Sequence, residues 1–197
     1  MRQTLLIMAI ALCGCSDGGT SKRSTAVQPD TRPAFVLDAS KPFTIEFGRG
    51  SGLYGLDVTK VSETGAVELH RIAGGQNVER ATLRLSDAQV RELVDLVNSR
   101  RLTSLGRSYM DPGVADGTQW VLWIEQAPSE KSIYFNNAFP EEITGFADHL
   151  DRLLQAAAVG NAAWTPVPRQ QGIDQQAALW DRIQPAREPP NTEPRAR

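Results

Sequence analysis

The apolar series between Pro140 and Gly160 constrains this chain more than any other feature. Ile143, Phe146, Ala147, Leu150, Leu153, Leu154 and Ala157 recur at three- and four-residue intervals, so a helix gathers them into one stripe that must be covered. Pro140 at a first helical position, Glu141 and Glu142 in the first turn, and Gly160 as the stop supply the end signals. A second stripe precedes it. Ser86, with Gln89 three places on, forms a capping-box pattern ahead of Val90, Leu93, Val94 and Val97, and this helix should end near Arg100.

The cover for both stripes is written as alternation. Phe43, Ile45 and Phe47 alternate with polar residues, as do Tyr54, Leu56 and Val58, with the glycine-rich stretch Gly48 to Gly55 read as the bend between two strands. Ser62 to Gly65 is a turn, and Val67 with Leu69 returns as another strand. Ala81 to Leu85 adds one more. After a loop carrying Asp111-Pro112-Gly113 and Asp116-Gly117, Gln119 to Gln126 reads as a central strand, Ala127 to Lys131 as a turn, and Ser132 to Phe135 as its return. The order is strands, helix, two strands, helix, which predicts an α+β two-layer sandwich with a mainly antiparallel sheet and two amphipathic helices.

Trp120 and Trp123 lie an odd number of residues apart on one strand and so belong to opposite faces. The natural cover for the outer one is Ile173 to Ile183, where Ile173, Ala177 and Trp180 have helical spacing and Leu179 and Ile183 widen the stripe. Two uses of that segment stay open, docking on its own domain or presentation to a partner.

The α+β domain therefore spans 42–160, followed by a connection and short amphipathic segment at 161–184 and a Pro-rich tail at 185–197 that lacks the apolar content to order itself. Ahead of it, 15–41 is rich in Gly, Ser, Thr, Pro and charge and reads as a flexible tether, with a reach on the order of 25 to 30 Å. The first 14 residues read as a signal peptide. Arg2, the apolar run Leu5 to Leu12 and the closing Leu12-Cys13-Gly14-Cys15 resemble the lipobox of bacterial lipoproteins. That resemblance implies cleavage before Cys15, lipid on its sulfur, and residence in the cell envelope. Ser16 implies the outer membrane, facing the periplasm. Two or three acyl chains, at about 0.8 kcal/mol per buried methylene, anchor without a transmembrane helix.

Processing leaves 183 residues with 20 basic and 23 acidic side chains, a formal charge of −3. No polybasic patch emerges, so nucleic acid is not an expected partner. Cys13 departs and Cys15 is blocked, which removes thiol and disulfide chemistry. His70 and His149 are the remaining imidazoles, and neither has a ligand-spaced or catalytic partner nearby in sequence. His149 is assigned to a solvated helix face. Asp111 and Asp116 lack the alternating carboxylates and closing Glu of a calcium loop, and Asp116 is read as ordering a turn. The expectation is a protein with no cofactor, no metal and no catalytic residues. Its candidate contacts are Arg49 and Tyr54 at the glycine bend, Tyr109 and Asp116 around the central loop, and Trp180 in the C-terminal segment.

Gly48-Arg49-Gly50-Ser51-Gly52-Leu53-Tyr54-Gly55, the helix start Leu85-Ser86-Asp87-Ala88-Gln89, and the Gln119 to Gln126 strand ahead of a Pro-led helix resemble emfourin-type domains. The resemblance spans about Phe43 to Leu154. It implies a small α+β fold and, for some emfourins, inhibition of thermolysin-type metallopeptidases; the fold carries over more safely than the inhibition, because function lies in a site and not in the scaffold. Two functions are therefore expected in turn: a lipid-anchored envelope module that binds a protein without catalysis, or an emfourin-like peptidase inhibitor.

Overall fold

In the computed structural model, residues 25–51, 55–73, 77–114, 117–158 and 163–187 are described. Alternating side chains form strands β1 (Ala26–Gln28), β2 (Thr44–Ser51), β3 (Gly55–Ser62), β4 (Ala66–Ile72) and β5 (Val78–Arg84). Further along lie β6 (Ser108–Met110), β7 (Thr118–Gln126), β8 (Ser129–Asn136) and β9 (Thr165–Val167). They make one 9-stranded sheet in the order β1-β6-β8-β7-β2-β3-β4-β5-β9, antiparallel throughout except where β6 meets β8. Among the described residues three α-helices accompany it, α1 (Asp87–Ser99), α2 (Glu141–Ala157) and α3 (Arg169–Arg187), so the fold is α+β with a large, mainly antiparallel sheet.

α1 begins where the capping box places it. The Ser86 hydroxyl accepts from the Gln89 N–H, the Gln89 side chain accepts from the Ser86 N–H at 2.9 Å, and the helix ends at Arg100 as its C-cap. Pro140 is the N-cap of α2, one place before the expected first helical position. Both helices lay their stripes on one face of the sheet. There Ile45, Phe47, Leu122, Ile124, Ile133 and Phe135 meet Leu93, Val97, Phe146 and Leu150 in one dry core. Phe47 stands edge-on to Phe146 at 5.4 Å and to Trp120 at 5.6 Å.

The expected two layers become three. α3 lies on the opposite face, where Leu179 and Ile183 are buried against Leu56, Val121 and Tyr134. That face carries enough apolar surface of its own to require cover, and the two tryptophans divide as their spacing predicts. Trp120 faces the core beneath α2, while the Trp123 ring lies 4.8 Å from the Arg182 guanidinium of α3. α3 also begins earlier than expected and continues to Arg187, past the start of the segment read as a tail; residues 188–197 lie outside the described residues.

Two turns are tighter than expected. Strand pairing in the first hairpin runs to Ser51 opposite Gly55, so Gly48 and Gly50 are strand residues between β3 and β7 and not part of a bend. Gly48 is required by packing: a Cβ there would meet the Val121 side chain at 2.7 Å and Leu179 of α3 at 3.4 Å. In the second hairpin only Ala127 and Pro128 turn, which places Lys131 within β8.

The described part of the tether is not free. β1 pairs with β6, Leu37 is buried in the main core, and Phe35 packs against it. The Asn98 side chain accepts from the Leu37 N–H and donates to its carbonyl, and Gln126 does the same for Asp38. Asp30, 4 % exposed, pairs at 2.9 Å with Lys131, 3 % exposed, which also donates to the Leu105 carbonyl. Burial pushes the Asp30 carboxyl up, but the hydrogen bonds from Arg32 and Lys131 outweigh it and hold the group well below the usual carboxylate range. Burial lowers the Lys131 ammonium, with Asp30 pulling it back. Composition missed this segment because side-chain bonds to backbone and one buried ion pair hold it in place of a long apolar run.

Candidate functional site

The faces of β2, β3 and β4 that look toward α3 follow from period two. Glu46 stands directly across from Lys60, Lys60 across from Glu68, and Val58 across from His70. A polar row therefore crosses three strands on the side opposite the dry core. β3 and β4 pair only as far as Val58 and His70, and beyond that register the Gln176 amide of α3 takes the next backbone groups: it accepts from the Leu56 N–H at 3.1 Å and donates to the Leu56 carbonyl at 2.7 Å. The helix is thus stapled across the splayed strands and leaves a space of about 150 Å³ between itself and the polar row.

Glu46, Val58, Lys60, Glu68 and His70 form the floor of this space. Gln175, Gln176, Leu179 and Arg182 overhang it from α3. Glu46 is 5 % exposed and is met by two cations, Lys60 at 3.4 Å and Arg182, which reaches down from the helix. Among the described residues, three side chains that line this space each carry a buried polar atom with no hydrogen-bond partner: His70 Nε2, Gln175 Oε1 and Arg182 Nε. Leaving such an atom unpaired costs about 1–3 kcal/mol, so finding three on neighbouring side chains is informative. Burial pushes the His70 imidazole below its ordinary value, with Glu68 and Glu46 opposing and Arg80 and Lys60 reinforcing the shift.

The candidate contacts read from sequence do not gather. Arg49 faces the other side of the sheet, where its guanidinium holds Asp151 of α2 through two bonds of 2.8 and 2.6 Å and lies 5.4 Å from the Phe47 ring centroid. Tyr109 stacks on Phe135 at 5.4 Å, and its hydroxyl accepts from the Gly106 N–H. Trp180 packs at 6.2 Å against Tyr134 as part of α3 docking. These three hold the structure together, whereas Tyr54, Asp116 and Cys15 lie outside the described residues. Asp111 orders its own turn by accepting from the Gly113 N–H. His149 bridges α2 to α1 through a 2.6 Å bond to Glu92, so its helix face is not only solvated.

Sequence reasoning weighed His70 only for a catalytic or metal-binding partner close in the chain and passed over Glu46, Lys60 and Glu68. The signal was present in the alternation: extending period two through the glycines of β2 places Glu46 with Lys60, and the return strand brings Glu68 and His70 to the same face. Among the described residues no group of three or more His, Cys, Asp or Glu side chains is placed to hold a metal ion. The arrangement offers hydrogen-bond donors, acceptors and balanced charge. Comparison with protein-family models and with curated proteins gives no match for this chain.

Proposed function

We propose that this chain is a lipid-anchored binding module of the bacterial cell envelope, acting without chemistry of its own, and that the cavity between α3 and the sheet is its recognition site. The observation that carries the reading is that His70, Gln175 and Arg182, each with an unpartnered buried atom, line one space beside the Glu46 ion pairs. A partner presenting matching polar groups satisfies them once the Gln175 and Arg182 side chains turn toward it, while the sheet floor and the docked helix keep their places.

The lipid on Cys15 would hold the domain near the outer membrane. Ten residues separate Cys15 from β1. Even fully extended they span no more than about 36 Å. The packed 26–41 segment therefore keeps the cavity within reach of partners at the membrane surface.

Crosslinking and capture from envelope membranes tests the reading, using the intact lipoprotein, a Cys15→Ser form and a Glu68→Gln/Gln175→Ala form. One envelope protein held by the first two and lost from the third is the expected result. Equal capture by all three would move recognition away from the cavity, and palmitate labelling that persists in Cys15→Ser would remove the anchor. The emfourin resemblance implies the alternative of inhibiting a thermolysin-type metallopeptidase. That alternative requires stoichiometric loss of peptidase activity on titration, and unchanged activity ends it.

A further inference from the structure

Resting on the cavity as a recognition site, we propose that it binds a small zwitterion, an ammonium and a carboxylate on a short carbon skeleton, of which an α-amino acid is the simplest form. Size sets the first bound. The cavity of about 150 Å³ matches the volume at which a protein interior accommodates a ring of about six non-hydrogen atoms. That is the scale of a small amino acid.

Charge sets the second. Lys60 and Arg182 bring two positive charges and Glu46 and Glu68 two negative ones, so the lining is neutral in sum, with Lys60 between the two carboxylates and Arg182 over Glu46. Glu46 already joins Lys60 and Arg182 at the β2 end, which makes that end rich in N–H donors. Glu68 and His70 stand at the β4 end, two strand spacings away, or about 10 Å between backbones. A ligand with a single charge would unbalance the lining, whereas a zwitterion adds both signs and no net charge.

The unpartnered atoms set the third. Arg182 Nε can only donate and so calls for an acceptor, which a carboxylate provides. Gln175 Oε1 can only accept, which an ammonium answers, and Glu68 is a further carboxylate in the same lining. His70 Nε2, in a residue 9 % exposed, takes either role and completes the set from the floor. Val58 and Leu179 supply the apolar sides for the carbon skeleton. Because the overhang belongs to α3 and the floor to the sheet, the bound molecule bridges the two and tightens the docking of the helix.

The test is calorimetric and thermal titration of the full chain in detergent with the common α-amino acids, and separately with methylamine, acetate and glycerol. One or more α-amino acids should bind with one-to-one stoichiometry and raise the melting temperature, at least tenfold more tightly than any single-charge or uncharged probe. Glu68→Gln and Gln175→Ala should each weaken that binding at least tenfold without lowering the unliganded melting temperature. Tighter binding of methylamine, acetate or glycerol, affinity untouched by both variants, or no binding by any probe overturns the assignment. If no amino acid binds but the cavity variants still lose the captured envelope protein, the zwitterion is wrong and the recognition site stands. If an amino acid binds while capture is unaffected, the opposite holds.

Discussion

The two faces of the central strands differ by one residue position and by nearly everything else. On β2, Ile45 and Phe47 enter a core closed by α1 and α2, while Glu46 between them enters a polar space beneath α3. The first face is sealed by aliphatic and aromatic side chains from both layers. The second is sealed only where Leu179 and Ile183 meet Leu56, Val121 and Tyr134, and is polar over β3 and β4. One sheet thus carries an apolar face and a largely polar one, the second being the proposed recognition face, and strand alternation keeps the two from mixing.

That division is open to attack from the dry side first. Phe146→Ala removes a fully buried ring between α2 and Phe47, and should cost about 3–5 kcal/mol and lower the whole unfolding transition. Leu179→Ala should cost less overall and act locally, loosening α3 while β2, β7 and β8 keep their amide protection in hydrogen exchange. Equal, global loss from both would mean that the two faces are one cooperative unit.

Next in size is the ion pair that ties the N-terminal segment to the sheet. Asp30→Asn leaves the Lys131 ammonium buried without its counter-charge, and should cost about 3 kcal/mol by denaturant unfolding. The pH dependence has a definite sign. The Asp30 carboxyl is depressed in the fold, so its contribution is complete above the unfolded value of about 3.9 and is lost as pH falls toward the folded one. Acid unfolding of the wild type should therefore be steeper than that of Asp30→Asn. Coincident curves would make the pair incidental.

How far sequence reaches is visible in the same elements. The capping box at Ser86, the stripe on α2 and the opposed tryptophans were legible because each depends on residues close in the chain. β1 and the packed 26–41 segment were not, because what holds them is contributed from about sixty to one hundred residues away, by Asn98, Gln126 and Lys131. The cavity was half legible. Alternation determines that Glu46, Lys60, Glu68 and His70 share a face, but only the docking of α3 shows that the face is roofed and that Arg182 reaches Glu46.

Gly48 is where the two faces are coupled most closely. Gly48→Ala places a methyl 2.7 Å from the Val121 side chain and 3.4 Å from Leu179, and should cost about 1–3 kcal/mol. The strain falls on the α3 side, so the expected outcome is a shift in Trp123 and Trp180 fluorescence with the helices on the dry face unchanged. A variant with wild-type fluorescence and stability would show that α3 adjusts freely, and the cavity would then be far less preorganised than its hydrogen bonds imply.

The smallest expected effect distinguishes a wet face from a merely polar one. His70 is held neutral chiefly by burial, and its charged form would stand among Glu68, Glu46, Arg80, Lys60 and, from α3, Arg182. With a folded value below the ordinary one of about 6.5, the unfolded chain takes up the proton first as pH falls. Wild-type stability should therefore decline below about pH 6.5, and His70→Gln should flatten that part of the curve while leaving the acid limb set by Asp30 in place. Parallel curves for the two proteins would mean that the imidazole is solvated in the fold as it is in the unfolded chain. The cavity would then be an open notch in the surface, and its unpaired atoms would be served by solvent and not kept for a ligand.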